Sequence, residues 1–164
     1  MTIIIRHSEK DDIRAIKEIY QQPSCYSGTL QLPYPAESMW IKRLTEIPAN
    51  FYSLVAVLDE TVVAQAGMEV NTRPRRKHVA NIGMAVMEKY QSQGIGTELL
   101  KAVIKLANNW LAVSRIELEV FTDNKSAVEL YKSHGFAIEG TGKSYAFRDG
   151  EYADVYFMAK VKAL

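Results

Sequence analysis

One segment, residues 78–110, constrains the fold more than any other region of the sequence. Strand-forming residues fill its first nine positions, from His78 to Val86, and after Gly94 apolar residues recur every three or four positions. That spacing places them on one face of a long helix. The members of this apolar face are Ile95, Leu99, Val103, Leu106 and Trp110. The segment therefore predicts a strand, a turn that contains glycine, and an amphipathic helix packed on a sheet.

The rest of the chain continues this alternation of strands and helices. A helix before Pro23 and two more over 36–47 and 124–134 are predicted, and residues 23–35 are predicted to be irregular. The other predicted strands are 2–6, 52–58, 61–71, 115–121, 136–147 and 152–161. The predicted order is β-α-α-β-β-β-α-β-α-β-β. Because no linker or repeat interrupts it, residues 1–164 are expected to form a single mixed α/β domain.

Capping signals mark the ends of two of these helices. Ser8 is predicted to cap the first helix, with the side chain of Asp11 reaching back to the cap, and Pro23 is predicted to end it. Asn124 is predicted to cap a later helix, which ends at Gly135 in the left-handed conformation typical of a helix end.

Composition and charge exclude several functional classes. A formal net charge of +1 creates no overall field for nucleic acid or an anionic membrane, and the basic cluster Arg73–Lys77 is short and lacks aromatic residues. Cys25 is the only cysteine and the three histidines lack metal-ligand spacing, so we expect neither a disulfide nor a metal site. No apolar run approaches the roughly 20 residues of a membrane span, which favours a cytoplasmic protein. Whether the chain forms a homodimer stays open.

The turn before the long helix is a candidate phosphate site. A helix start exposes backbone N–H groups at the positive end of the helix dipole, and glycine lets an anion approach them closely. The residues of the turn are Gln91, Ser92, Gln93, Gly94, Ile95, Gly96 and Thr97. A dinucleotide-binding motif would need glycine or alanine where Leu99 stands, and the Gly-Lys-Ser/Thr triplet of a Walker loop is absent. The two glycines alone are equally typical of an ordinary helix start.

Two motifs together resemble those of the GNAT superfamily of N-acetyltransferases. The pattern Gln91-x-x-Gly94-x-Gly96 is similar to the loop that holds the pyrophosphate of CoA in that family. The family's second motif is similar to Asn124-x-x-Ala127-x-x-x-Tyr131-x-x-x-Gly135-Phe136, and the predicted element order matches from end to end. The resemblance implies that the chain moves the acetyl group of acetyl-CoA, its cosubstrate, onto a primary amine.

The resemblance also implies how acetyl-CoA binds. The backbone of the strand before the turn would pair with the pantetheine arm, and the residues concerned are Met84, Ala85 and Val86. Residues 91–97 would hold the pyrophosphate, and Asn124 would bind the arm as well as cap its helix. A bulge at Gly83 would separate a pair of parallel strands and admit the thioester. Because the family mostly has arginine where Gln91 stands, phosphate binding here is expected to depend more on backbone N–H groups.

Tyr131 is the candidate general acid. It follows Asn124 by seven positions, so the two residues share a helical face with Ala127. A phenol with a pKa of about 10 can donate a proton or a hydrogen bond to the thiolate that leaves as the amine attacks. The bare pattern is also typical of a core tyrosine, and it is the motif around Tyr131 that favours catalysis.

Glu119 and Glu117 are the candidate bases. An α-amine has a pKa of about 8 and is mostly protonated at neutral pH, so a base assists its attack. The two glutamates lie two positions apart on one face of a predicted strand, where burial of a carboxylate without a use is unfavourable. Glu119 resembles the position that acts through water in ribosomal-protein N-acetyltransferases. A structural role for both carboxylates stays open.

The acceptor amine is expected to bind between an irregular segment and a hairpin near the end of the chain. The candidate contacts are Tyr26 and Tyr34 in the segment and Lys143, Tyr145 and Arg148 in the hairpin. Lys143 and Arg148 would suit the carboxylate of an amino acid, although the same pattern is equally typical of charges on a protein surface. The hairpin resembles bacterial acetyltransferases that act on small amines, amino acids or ribosomal-protein N-termini. A small-molecule acceptor is therefore expected, with a protein N-terminus and a CoA-binding regulatory module without turnover as alternatives.

Overall fold

The computed structural model of the protein describes residues 2–163, and over this range seven strands form one mixed sheet with five α-helices packed around it. The strands are β1 Ile3–His7, β2 Phe51–Leu58, β3 Thr61–Val70, β4 Val79–Val86, β5 Arg115–Phe121, β6 Ala137–Arg148 and β7 Glu151–Val161. The helices are α1 Ile13–Tyr20, α2 Pro23–Ser27, α3 Glu37–Thr45, α4 Ile95–Trp110 and α5 Lys125–Ser133. The predicted mixed α/β class is confirmed, and α2 is an element that was not predicted.

Residues 23–35, predicted to be irregular, in fact begin with the short helix α2. Pro23 occupies its first turn, where the missing N–H needs no partner and the fixed φ angle suits a helix. The same proline therefore separates α1 from α2 instead of beginning a loop. The thiol of Cys25 in α2 donates a hydrogen bond to the carbonyl of Val86 at 3.2 Å, which holds α2 against the end of β4.

The start of the first helical segment lies one residue later than predicted. A 3₁₀ turn precedes α1, and Glu9, not Ser8, caps it. The carboxylate that reaches back belongs to Asp12, not Asp11, and accepts from the backbone N–H of Glu9 at 2.7 Å. The backbone N–H of Ser8 instead donates to the carbonyl of Ser53, which extends the pairing of β1 with β2 by one residue. Ser8 therefore still belongs to the sheet edge and cannot begin a helix.

The order of the strands in the sheet is β1-β2-β3-β4-β5-β7-β6, and only β4 and β5 run parallel. These two strands pair over three residues each, ending at Asn81 and Glu117. Beyond that point β4 stays with β3 and β5 stays with β7, so a gap opens between them. The bulge predicted at Gly83 is wrong, because Gly83 pairs in register with Gly67 of β3. The gap arises because each strand keeps its own antiparallel neighbour.

The central strands are buried on both faces of the sheet. On one face α4 packs across β1 to β4 through Leu99 and Val103, and on the other face Ile16 and Ile19 of α1 join a second cluster. This two-sided burial explains the nearly continuous apolar runs of β2 and β3. Within residues 2–163 no helix is long and apolar enough to cross a lipid bilayer.

Substitution Asp12→Asn is expected to destabilise the fold by about 1.5–3 kcal/mol at pH 7, because Asp12 joins β1 to the helix that follows. Its buried carboxylate accepts two hydrogen bonds from Arg6, at 2.7 and 3.0 Å. These bonds hold the pKa of Asp12 below its ordinary value. The difference in stability is therefore complete above the ordinary aspartate pKa of about 3.9 and closes as the pH falls through the lower pKa of the folded state.

Urea unfolding of wild type and variant across this pH range measures the effect. Glu18→Gln is the control, because Glu18 is exposed on α1 and lies 3.9 Å from Arg14 in a weak surface pair. If Asp12→Asn kept wild-type stability at pH 7, the Arg6–Asp12 pair would contribute nothing to the fold.

Candidate active site

Two cavities open beside the gap between β4 and β5, and they meet at Tyr131. The first, here called the turn cavity, has a volume of about 520 Å³ and lies beside the start of α4. The second, here called the sheet cavity, has a volume of about 510 Å³ and lies over β3, β4 and β5. The residues that line both cavities are Gly28, Thr29, Met84, Asn124, Ala127 and Tyr131. The two cavities therefore share one wall, to which Tyr131 belongs.

The turn cavity is built on the residues that lead into α4. Gly94 caps the helix with a φ of +86°, and a Cβ at this position would meet nothing within 4 Å. Ser92 also has a left-handed φ, of +59°. These two residues turn the chain sharply, so that an anion can approach the unpaired N–H groups of the helix start without a side chain in between.

The predicted turn residues divide between the cavity and the body of the protein. Those that line the turn cavity are Gln91, Ser92, Gly94, Gly96 and Thr97. Gln93 lies outside it and donates to the carbonyl of Lys89 at 3.1 Å, while the side chain of Ile95 is buried in the core. For these two positions only the backbone remains available to a ligand.

The side-chain amide of Gln91 is already engaged. Its Nε2 donates to the carbonyl of Val86 at 2.9 Å and to the hydroxyl of Ser24 at 3.2 Å, which ties the turn to β4 and α2. That phosphate binding depends more on the backbone N–H groups at the start of α4 stays a prediction.

The other predicted cofactor residues also line the turn cavity. Its wall along the gap is the free edge of β4, formed by Met84, Ala85 and Val86. Asn124 is the N-cap of α5, and its Oδ1 accepts from the backbone N–H of Ala127 at 3.3 Å. The cap therefore fixes the side chain of Asn124 at the junction of the two cavities.

Tyr131 lies two turns along α5 from this cap, at the same junction. Its ring packs edge-on against Phe136 with centroids 5.6 Å apart. Burial raises the pKa of Tyr131 to about 12, so the phenol stays protonated at neutral pH. Among residues 2–163 no group hydrogen-bonds to its hydroxyl. Tyr131 thus offers a hydrogen-bond donor on a side chain that lines both cavities.

The two candidate bases have different surroundings. Glu119 lines the sheet cavity, and the Nδ2 of Asn81 lies 3.3 and 3.4 Å from its two carboxylate oxygens. Glu117 lines neither cavity and accepts from Arg76 and Arg115, each at 2.8 Å. The carboxylate of Glu119 faces the space that a ligand would fill, whereas the charge of Glu117 is already balanced by two arginines.

The predicted acceptor contacts from the β6–β7 hairpin are distributed over three places. Tyr145 lines the sheet cavity and packs edge-on against Phe157 at 5.7 Å. Arg148 lines the turn cavity and is paired with Asp123. Lys143 lines neither cavity and lies 3.3 Å from the carboxylate of Asp154.

The two tyrosines predicted from the segment before α3 do not line either cavity. Tyr34 is 97% exposed, and Tyr26 is half-buried in α2. The segment nevertheless contributes Gly28 and Thr29 to the wall that both cavities share.

A stack of side chains on the sheet cavity was not predicted. The guanidinium of Arg43 lies 5.0 Å from the ring centre of Trp40, and that ring stacks on Tyr20 at 4.9 Å. The hydroxyl of Tyr20 donates to the Oε1 of Gln65 at 2.6 Å, and the Nε2 of Gln65 donates to the hydroxyl of Ser53 at 3.0 Å. Trp40 and Arg43, three positions apart in a predicted helix, were the available signal in the sequence.

Cys25 lines the turn cavity, but its environment does not favour a nucleophile. Burial raises the pKa of its thiol, which also donates a hydrogen bond to the carbonyl of Val86. A protonated thiol is unreactive. Within residues 2–163 no three His, Cys, Asp or Glu side chains are grouped so as to hold a metal ion.

Comparisons with known proteins show what the chain is similar to. A family model described as the Acetyltransferase (GNAT) family matches residues 13–136. The chain is 48% identical to the L-amino acid N-acetyltransferase AaaT of Escherichia coli K12 over 160 residues, 98% of each chain. It is 31% identical over 166 residues to an N-alpha-acetyltransferase of Saccharolobus solfataricus, over 95% of this chain and 91% of that protein. A GNAT superfamily phosphinothricin acetyltransferase from Sinorhizobium meliloti, solved in complex with AcCoA, shares the fold at a TM-score of 0.88 and 22% identity, covering 99% of this chain and 90% of that one.

Proposed function

The chain belongs to the acetyltransferase (GNAT) family and is an acetyltransferase, and we propose that it transfers the acetyl group of acetyl-CoA to the α-amine of a free L-amino acid. The meeting of the turn cavity and the sheet cavity at Tyr131 is the observation that carries this proposal. It allows a donor in one cavity and an acceptor in the other to react directly. The similarity to a curated L-amino acid N-acetyltransferase supports an amino acid as the acceptor.

The turn cavity fits the donor in both chemistry and shape. Open space at Gly94 and the unpaired N–H groups of the α4 start suit a pyrophosphate. The free edge of β4 offers backbone groups to the amides of a pantetheine arm, and Asn124 lies where that arm would end. Acetyl-CoA supplies a thioester carbon that the amine nitrogen attacks, so that the carbon–sulfur bond breaks and the sulfur leaves as a thiolate.

Tyr131 stabilises the negative charge that develops on the leaving sulfur. Its pKa of about 12 lies well above the roughly 8.5 of an ordinary thiol, so a hydrogen bond to the thiolate is favoured over complete transfer of the proton. That hydrogen bond strengthens only as charge develops, and it therefore stabilises the transition state more than the bound substrates.

Glu119 assists removal of a proton from the acceptor. An ammonium group must lose a proton before its nitrogen can attack, and the sheet cavity offers the carboxylate of Glu119 for this purpose, directly or through water. Asn81 orients that carboxylate through its side-chain amide. Glu117 is less suited because two arginines already bind it.

A protein N-terminus is the second candidate acceptor, supported by the 31% identity to an N-alpha-acetyltransferase. A regulatory module that binds CoA without turnover would need the turn cavity alone. Assays of acetyl-CoA with the twenty common L-amino acids and with N-terminal peptides, following release of free thiol, distinguish these functions. Turnover of peptides alone would favour the second acceptor, and absence of all turnover would favour the module.

Substitution Gly94→Asp is expected to abolish binding of CoA, because it places a side chain and a negative charge where the phosphates would lie. Wild type with ligand at 100 times its dissociation constant should gain about 2.7 kcal/mol of stability. Gly150→Asp is a matched control, because Gly150 has a φ of +84° and similarly open space in the β6–β7 turn. Thermal unfolding with CoA, NAD and ATP measures the effect. An increase in Tm with NAD or ATP but none with CoA would exclude acetyl-CoA as the donor.

Substitution Tyr131→Phe is expected to lower kcat on the order of 10²–10⁴-fold while acetyl-CoA still binds. The ring and its contact with Phe136 are kept, so the fold should be preserved. Single-turnover rates measure the chemical step even if product release limits kcat. Tyr90→Phe is the control, because Tyr90 lies outside both cavities. If Tyr131→Phe kept wild-type single-turnover rates, Tyr131 would serve only in packing.

Substitution Glu119→Gln is expected to lower kcat/KM most at low pH and progressively less as the pH rises through the pKa of the amine, when less of it needs a base. Glu117→Gln, two residues away on the same face of β5, should leave the pH profile unchanged. Profiles of kcat/KM against pH for both variants measure the difference. An effect at Glu117 in place of Glu119 would reverse the assignment.

A further inference from the structure

Arg43 is the only cation that lines the sheet cavity within the described residues. We propose that Arg43 binds a carboxylate of the acceptor and thereby makes a free carboxylate a requirement for good substrates. This inference rests on the proposed function, since it concerns the molecule that receives the acetyl group.

The groups that hold Arg43 in place are all uncharged. Its guanidinium lies against the face of Trp40, and its Nη1 donates to the Oε1 of Gln31 at 2.7 Å. Trp40 is buried and stacked in turn on the buried Tyr20. The planar group is therefore oriented by an aromatic face and one amide oxygen, and among residues 2–163 no other acceptor binds its remaining N–H donors.

Other arginines around the site are neutralised by carboxylates of the chain itself. Arg76 and Arg115 bind Glu117, Arg115 also binds Glu139, and Arg148 binds Asp123. Within residues 2–163 no Asp or Glu lies within 4.0 Å of the Arg43 guanidinium in an ion pair. An arginine fork matches a carboxylate through two parallel hydrogen bonds, so an unneutralised arginine on a cavity wall favours a carboxylate ligand.

The charges of the sheet cavity fit an amino acid in its zwitterionic form. Arg43 supplies a positive group, and Glu119 and Glu69 supply negative groups that line the same cavity. Gln31, which holds Arg43, follows Thr29 by two residues, and Thr29 belongs to the wall shared with the turn cavity. The carboxylate would thus be bound beside Arg43, with the amine directed to Glu119 and Tyr131.

This arrangement discriminates between classes of acceptor. A peptide N-terminus has an amide where a free amino acid has its α-carboxylate, so it would gain no ion pair with Arg43. A polyamine would place a positive charge beside another one. The hairpin cations predicted for a carboxylate do not compete for this role, because Lys143 and Arg148 are paired with Asp154 and Asp123.

The test compares each accepted L-amino acid with its carboxamide, which keeps the side chain and removes the charge of the carboxylate. Because this also lowers the pKa of the amine, kcat/KM is expressed per neutral amine. Wild type should prefer the acid, and Arg43→Gln should lower kcat/KM for the acid by about 10- to 100-fold, chiefly through KM, with little change for the carboxamide. Arg43→Lys keeps the charge without the fork and should lie between them. Lys42→Gln, on an exposed neighbouring position of α3, should behave as wild type.

The outcomes separate this inference from the proposed function. Wild-type turnover of amino acids and their carboxamides at equal kcat/KM would overturn the role of Arg43 and leave the proposed function intact. The same holds if Arg43→Gln retains the wild-type preference for the acid. Absence of any turnover of amino acids by wild type would overturn both. Thermal shifts with acetyl-CoA show whether each variant is folded, and the wild-type comparison alone still tests the inference if Arg43→Gln does not fold.

Discussion

The separation of β4 from β5 is the constraint on which the rest of the site depends. Parallel pairing ends at Asn81 and Glu117, and each strand continues with its antiparallel neighbour. The gap exposes one edge of β4 in the middle of the sheet, where backbone groups would otherwise be paired. It also brings the start of α4 and the cap of α5 to the two sides of one opening. An acyl donor that pairs with the β4 edge would therefore complete the sheet.

Ion pairing within the chain determines which charges are free to act. Of two glutamates on the same face of β5, Glu117 is bound by two arginines and Glu119 is contacted by an amide. The cations show the same contrast, since Arg148 has an internal carboxylate and Arg43 has neutral partners. A charge without an internal partner, on a cavity wall, is available to a substrate. Local sequence reveals little of this difference, because Arg115 lies two residues from Glu117 but Arg76 lies 41 residues away, and Asp123 lies 25 residues from Arg148.

Packing at the junction supports the chemistry by holding polar groups in fixed positions. Tyr131 is held by Phe136 and by the helix that Asn124 caps, and burial keeps its phenol protonated. On the sheet cavity, a stack that begins in the buried Tyr20 extends through Trp40 to Arg43. In both cases packing against a buried aromatic ring restricts the position of a polar group that lines a cavity.

The sequence by itself determined most of the strands and helices and the turn that leads into α4. Residues 115–121 were predicted as a strand, and β5 has the same bounds. The prediction was possible because the alternation of apolar and polar residues is a local pattern. The turn at 91–97 was identified because a helix start carries its own binding groups. Only the tertiary structure decided the separation of the strands, the pairing of Glu117 with Arg76 and of Arg148 with Asp123, and the place of Arg43 on the sheet cavity. These properties arise from contacts between residues far apart in the chain, and such contacts leave no periodicity or spacing in the sequence.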